Sequence, residues 1–380
     1  MYFNRSNEFP RSAEVVVIGG GVIGLTIARA LGQRGVRDVL LIERSALGTE
    51  ASFAAGGILA PQAEADRADE FFELACRSRD LYAEFAAGLF DETGVDVELD
   101  STGTLYVALA EGDELEKRYA WQSKQGLAVK KLTAREAREL EPHIAPSVAG
   151  ALLFPHDIQV ENRRLLNALV HSVNELAIKV ATHTNVESLT IERRQIKGVQ
   201  TSRDFVSCRI VIIAAGTWSS LIEHANTPTI EPVRGQMICF DAKPQLTRHV
   251  IYSPRGYLVP RKDGRLLAGS TSENAGFAKQ VTAAGISAIL ANAQEISPNV
   301  ANLPIVDTWA GLRPRAADGL PVLGPCDEID GLFYATGHYR NGILLAPVTG
   351  ELIAEAVVSG HISPLLAAFS PNRFNLAHVS

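Results

Sequence analysis

The sequence predicts an α/β protein: a Rossmann-type domain, interrupted along the chain, joined to a second domain built on a largely antiparallel sheet. Three observations predict it. A β-branched apolar run, Val15 to Ile18, leads straight into Gly19, Gly20, Gly21 and Gly24 and then into a helical stretch. A second apolar run, Val39 to Ile42, ends at Glu43 and completes a βαβ unit of about 30 residues. Farther on, Gln236 to Phe240, Tyr257 to Pro260 and Leu266 to Ala268 alternate with the two-residue period of half-buried strands.

In chain order, Ala13 to Ile18 reads as a buried strand and Val22 to Arg34 as a helix stopped before Gly35. Asp69 to Phe90 has helical periodicity, with Phe72, Ala75, Leu81, Phe85 and Leu89 expected to face inward. Gly103 to Leu109 reads as a strand, Arg135 to Leu140 as a helix stopped by Pro142, and Arg163 to Ala177 as an amphipathic helix. Strands follow at Lys179 to Thr182, Val186 to Ile191, Ile196 to Thr201 and Arg209 to Ala214, the last leading into Ala215 and Gly216. Leu332 to Ala335 is a further strand, and Gly342 to about Val358 a helix. The expected division assigns 1-90, 150-228 and 306-380 to the first domain and 91-149 and 229-305 to the second.

Composition excludes several function classes. A chain of 380 residues with 46% hydrophobic and 21% charged residues can bury a large core, so general disorder is excluded. The formal charge of -7 argues against nucleic-acid binding, which needs a basic surface. The run Glu111, Asp113, Glu114, Glu116, Lys117 and Arg118 reads as a solvated helix face. Cys76, Cys208, Cys239 and Cys326 form no CxxC pair, which fits a reducing compartment and buried thiols. Met1 to Ser12 is polar and lacks the apolar core of a signal peptide. Val15 to Ala28, read as the longest apolar stretch, is interrupted by glycines and too short to span a membrane. Cytoplasmic residence and no membrane association are therefore expected.

The chemistry starts at Gly19-x-Gly21-x-x-Gly24. The first glycine permits the tight turn, the second lets a pyrophosphate reach the backbone, and the third lets helix and strand pack closely. Phosphate is favoured at the helix N-terminus by free N–H groups and the helix dipole. Glu43, 19 residues after Gly24, can accept hydrogen bonds from both ribose hydroxyls. An acid there disfavours NADP, but the motif leaves NAD and FAD open. The small-residue segment Glu50 to Gly57, with Ser52, Ala54, Ala55 and Gly56, would let backbone run close to a planar group. Ile212 to Trp218, with Ala215 and Gly216, is a second strand ending in a glycine turn.

Several longer stretches carry a resemblance. They are Val17 to Gly24, Ala54 to Pro61, Gly256-Tyr257-Leu258-Val259-Pro260-Arg261, Trp309-Ala310-Gly311-Leu312-Arg313-Pro314, and Thr336 to Pro347. Through them the chain resembles the flavin-dependent amine oxidases of the D-amino-acid oxidase superfamily, most of all their ThiO-type glycine oxidase branch, over about residues 13 to 370. The resemblance implies FAD as cofactor, bound by the Rossmann-type domain, with the antiparallel domain binding substrate. It implies oxidative deamination of glycine or a small amino acid to an imine or 2-oxo acid and ammonia, with O2 reduced to H2O2, in thiamin biosynthesis. It also suggests a homo-oligomer.

Roles follow by the same resemblance. Arg313 matches the arginine that clamps the substrate carboxylate, and a guanidinium fork suits that task. Tyr257 matches a tyrosine that helps hold the carboxylate, Arg340 an arginine beside the flavin, and Ile58 a position over its ring. His338, Arg340, Asn341, Gly342, Ile343 and Leu344 match the turn and helix start facing the pyrimidine end of the flavin. Val186 matches a residue whose backbone meets the adenine, and Arg44 and Trp218 complete the cofactor set. Two departures stand out. Arg255 replaces a histidine of better-known members, and Arg315 adds a second arginine after Arg313. Positive charge there would favour acidic substrates, or pair with Asp318 or a phosphate. The rival readings are a D-amino-acid dehydrogenase, a sarcosine-type oxidase and, more remotely, a non-catalytic flavin-binding protein. The last is disfavoured because Arg313, Tyr257 and Arg340 are all present.

Overall fold

Four strands in the middle of a six-stranded sheet build the first half of the molecule. A computed structural model describes residues 9–109, 115–225 and 227–378, and side chains to 374. Its first sheet runs Val322–Pro325, Leu332–Thr336, Ile210–Ile213, Val15–Ile18, Val39–Ile42, Lys179–Ala181. All neighbours are parallel except Val322–Pro325, which pairs antiparallel at the edge. Parallel strands covered on both faces need apolar residues at every position. Val15 and Val17 accordingly face one cluster, with the helices Val22–Gln33, Asn162–Glu175 and Gly342–Ser359. Val16 and Ile18 face the other, with a three-stranded antiparallel layer of Val186–Glu192, Gln195–Thr201 and Phe205–Ser207.

The second sheet has eight strands: Ile305–Ala316, Ile230–Asp241, Arg265–Gly269, Gly256–Pro260, Val250–Ser253, Thr104–Ala108, Gly150–Phe154, Lys130–Thr133. Its pairs are antiparallel except Val250–Ser253 beside Thr104–Ala108. Strand alternation splits its side chains cleanly. Ile238, Phe240 and Leu258 pack on one face, against the helix Ala283–Ile296. Met237, Tyr252, Tyr257 and Val259 point to the other, which carries the candidate site. Gly150–Phe154 and Ile305–Ala316, which begin at the two expected segment edges, both belong to this second sheet.

Several elements differ from expectation. The helix Glu70–Thr93 buries Leu74, Ser78 and Tyr82 beside Phe72, Ala75 and Leu89, while Leu81 and Phe85 are only half-buried. The cause lies in the neighbouring helix Gly342–Ser359, which contains Pro347. Proline has no N–H to donate back to the carbonyl four residues earlier. Tyr82 Oη donates to that Ile343 carbonyl at 2.5 Å, and Ser78 Oγ donates to Leu344 O at 2.6 Å. Polar residues thus take inward positions that a purely apolar period misses. Ile305–Ala316 escapes strand recognition because it contains Gly311 and Pro314; it lies at the sheet edge, where a missing N–H is tolerated.

Glu111, Asp113 and Glu114 of the charge run lie outside the described residues. Glu116 and Lys117 are exposed on the helix Leu115–Lys124, but Arg118 turns inward to the Ala65 carbonyl and Asp66. Val15 to Ala28 divides between the strand Val15–Ile18 and the start of the helix Val22–Gln33. Among the described residues one helix, Gly342–Ser359, is long and apolar enough to cross a membrane; 67% of it is buried, largely against Val22–Gln33 and Glu70–Thr93.

Of the described glycines, Gly24 leaves the least room for a side chain. A Cβ there would lie 1.8 Å from the Gly19 carbonyl oxygen, which is backbone and cannot yield. Gly24→Ala is expected to destabilise the chain by about 2–4 kcal/mol, the scale of a severe overpacking, read from urea midpoints. An unchanged midpoint would mean that helix and strand do not approach so closely.

Candidate active site

A long cleft opens beyond the carboxyl end of Val15–Ile18 and continues to the tyrosine-bearing face of the second sheet. Its first half is backbone. Gly19 has φ +111, and a Cβ there would sit 2.4 Å from Ala214 O. Gly20 N–H donates to Glu43 Oε2 at 2.7 Å, while Ser45 N–H and Oγ donate to Oε1 at 2.8 and 2.9 Å. The buried carboxylate is therefore fixed at the end of its strand, on the cleft wall. Val22 N–H, in the first turn of the helix, donates to Ser52 Oγ at 3.0 Å. Ser52, Ala54, Ala55, Gly56, Gly57 and Ile58 line the next stretch. Gly57 has φ +69, and a Cβ would meet Val160 O at 2.0 Å. Arg261, buried, holds this loop by donating to Gly56 O, Val160 O and Asn162 Oδ1 at 2.8, 2.9 and 3.1 Å. Burial pushes its guanidinium down to about 10.

Val186, Ala215, Gly216 and Trp218 close the far side. Arg44 lies 3.6 Å over the Trp218 ring and pairs with Glu50 at 2.5 Å. A wall of Cβ-less backbone, a helix N-terminus and a fixed carboxylate fit an adenosine pyrophosphate. The donor set matches that group, with N–H donors for phosphate and a carboxylate for ribose hydroxyls.

The second half of the cleft carries charge. Arg313 projects from the strand Ile305–Ala316 across Gly235 of its antiparallel partner. A Cβ at Gly235 would lie 2.2 Å from Arg313 Nη2, so only glycine leaves room for the guanidinium. Arg313 donates through Nη1 to Thr271 O at 3.0 Å and through Nη2 to Ser270 Oγ at 2.7 Å. Among the described residues, no carboxylate pairs with it. Tyr257, 9% exposed, donates only to Met237 Sδ, at 3.4 Å. A thioether is a weak acceptor, so this hydroxyl is under-satisfied.

Arg340 meets Glu64 Oε1 at 3.4 Å and the Tyr252 hydroxyl at 3.5 Å. The Glu64 charge, ahead of the opposing burial, raises the Arg340 guanidinium above its usual range. Tyr252 donates to Glu64 Oε1, and burial followed by that charge raises its hydroxyl well above 10. His338 is buried, bonds Thr349 Oγ1 at 3.1 Å, and is pushed down to about 3 by burial. It is neutral at working pH. Gly342 and Ile343 bring the N-terminus of the helix Gly342–Ser359 to the cleft.

Three expected site residues do not line the cleft. Gly24 packs beneath it, Leu344 is in the core, and Asn341 stands at the N-cap position of the last long helix without a side-chain capping bond. Glu64, Tyr252, Gly235 and Ser270 line it without having been singled out. Glu64 lies six residues past Ile58 and could have been found there; Gly235 and Ser270 gain meaning only through strand pairing. The two extra arginines are neutralised on the surface. Arg255 pairs with Glu295 at 2.7 Å and Arg315 with Glu231 at 2.8 Å, and neither lines the cleft. Asp318 pairs with Arg373 instead.

Residues 14–356 match the family described as FAD dependent oxidoreductase. The chain is 35% identical to a glycine oxidase of Pseudomonas aeruginosa over 347 residues, 90% of this chain and 94% of that one. It is 35% identical to a bifunctional ThiO/ThiG protein of Trichormus variabilis, covering 95% of this chain and 55% of that one. The crystal structure of glycine oxidase from Geobacillus kaustophilus superposes with a TM-score of 0.91 at 33% identity, covering 96% and 99% of the two chains.

Two outcomes are expected. His338 takes up a proton in the unfolded chain near pH 6.5 but in the folded chain only near 3, so folding stability is full above 6.5 and is lost as pH falls. The loss approaches about 1.4 kcal/mol per pH unit, and denaturant titrations of His338→Gln should lack this share of the slope. Gly235→Ala should displace the guanidinium and raise KM for a carboxylate substrate roughly tenfold or more, measured with flavin content unchanged.

Proposed function

The chain belongs to the FAD dependent oxidoreductase family and uses FAD, and from that premise we propose that it oxidises the Cα–N bond of glycine or another small amino acid. The observation that carries this reading is the unpaired Arg313 beside the under-satisfied Tyr257 hydroxyl. A bound carboxylate would accept from the remaining guanidinium donors and from the tyrosine, removing both deficits at once. We assign the first sheet and its helices to the cofactor and the eight-stranded sheet to the substrate.

In this reading the amides at Gly19 to Val22 hold the pyrophosphate and Glu43 the ribose, with Arg44, Trp218 and Val186 around the adenine. Gly56, Gly57 and Ile58 would hold the flavin ring, and the helix starting at Gly342 would favour negative charge on it. Bound there, FAD would supply the two-electron oxidant for the Cα–N bond and the route of those electrons to O2, with H2O2 as the product. Arg313 and Tyr257 fix the carboxylate and so orient Cα–H, and Ile58 and the tyrosine rings exclude water. No protein base is required. Glu43 and Glu64 are already hydrogen-bonded, and burial, which pushes His338 down to about 3, leaves its imidazole too weak a base, so a substrate with a neutral amine supplies its own electron pair. Water converts the resulting imine to a 2-oxo acid and ammonia. The likeness to ThiO/ThiG proteins supports a place in thiamin biosynthesis, where the imine is the useful product.

The purified protein should be yellow, bleach with glycine in the absence of O2, and release one H2O2 per glycine consumed in air. Glycine turnover with an artificial acceptor but without peroxide would identify a dehydrogenase instead. Arg313→Ala should retain flavin and raise KM for glycine on the order of a hundredfold or more; an unchanged KM would remove Arg313 from this role.

A further inference from the structure

Resting on the reading above, we propose that Glu64 is a specificity-determining residue: by pairing with Arg340 it leaves Arg313 as the single uncompensated cation at the substrate end of the cleft, and so selects amino acids with one carboxylate. Three charged side chains, Glu64, Arg313 and Arg340, line this end beside Tyr252 and Tyr257. Arg340 is matched by Glu64, at 3.4 Å. Arg313 meets only a carbonyl and a hydroxyl. The net charge of this end is thus +1, equal and opposite to one carboxylate. A second carboxylate would have to enter beside Glu64 with its only cation already engaged, and like charges in a partly dried site disfavour that.

The carboxylate is built in rather than draped over the cleft. Glu64 ends a four-residue helix, Pro61–Glu64, held at both ends by polar side chains. At its start, fully buried Asp157 accepts from Gln62 N–H and Ala63 N–H at 3.3 and 2.8 Å. At its end, Arg118 Nη1 donates to Ala63 O and Ala65 O at 3.1 and 2.5 Å. Tyr252, on the substrate-facing side of the second sheet, donates to Glu64 Oε1. Its ring lies 5.4 Å from that of Tyr257, which ties the acidic residue to the carboxylate-binding end. The two additional arginines of the sequence do not alter this balance, because Arg255 and Arg315 pair with Glu295 and Glu231 outside the cleft.

The test compares kcat/KM for D-aspartate and for glycine, and competition by malonate and by acetate, in the flavin-loaded protein. In Glu64→Gln both dicarboxylate-to-monocarboxylate ratios should rise roughly tenfold or more, and Glu64→Asp should keep the wild-type ratios. In Glu64→Gln with Arg340→Gln the gain should vanish, because it needs the freed guanidinium. A ratio unchanged in Glu64→Gln, or a gain that persists without Arg340, overturns the proposal. Should Glu64→Gln fail to fold, Arg340→Gln alone serves: it leaves Glu64 uncompensated and should weaken acetate competition severalfold, and unweakened competition overturns the proposal too. Failure of the underlying reading looks different, since the wild-type protein would then neither oxidise glycine nor be inhibited by acetate.

Discussion

A guanidinium without a counter-ion keeps its place through the acceptors and the space around it. Arg313 has two such acceptors, Thr271 O and Ser270 Oγ, and one strand pair leaves it the space. The register that sets Gly235 opposite Gly311 removes the side chain that would occupy the guanidinium's space. The same strand places Met237 two residues on, beneath Tyr257, so cation and hydroxyl share one face. Everything chemical in the cleft is arranged around this deficit of one negative charge. The acids that line the cleft are committed elsewhere: Glu43 to Gly20 and Ser45, Glu50 to Arg44 and Lys279, Glu64 to Arg340 and Tyr252.

Much of the first sheet is legible in the sequence because parallel strands buried on both faces read as unbroken apolar runs. Val15–Ile18, Val39–Ile42, Ile210–Ile213 and Leu332–Thr336 are all such runs, and each lies where its residues suggest. The second sheet is less legible. Val250–Ser253 and Gly150–Phe154 are short and flanked by proline or glycine, and Ile305–Ala316 carries Pro314 inside it. Its strands are recognised by their partners rather than by their own pattern.

The site divides along the same line. Gly19, Gly21, Gly24 and Glu43 announce themselves because their spacing within one βαβ unit is itself the constraint. Arg313, Tyr257 and Arg340 are reached only through family likeness, since an arginine in a strand has no local signature. Gly235, Tyr252 and Glu64 act through residues distant in the chain. Glu64 depends on Asp157 and Arg118, which lie 93 and 54 positions away, and no window of sequence contains all three. The inward turn of Tyr82 and Ser78 has the same origin, a proline hundreds of residues downstream.

The cleft draws its wall from residue 18 through residue 343, and its last contributor is the start of the helix Gly342–Ser359. That helix also forms a large part of the packing around Val22–Gln33 and Glu70–Thr93. During translation, therefore, the glycine-rich turn emerges early yet has no finished enclosure until this helix clears the ribosome. Loading of the dinucleotide belongs to the finished polypeptide, and a nascent chain stalled before residue 342 would leave the exit tunnel colourless.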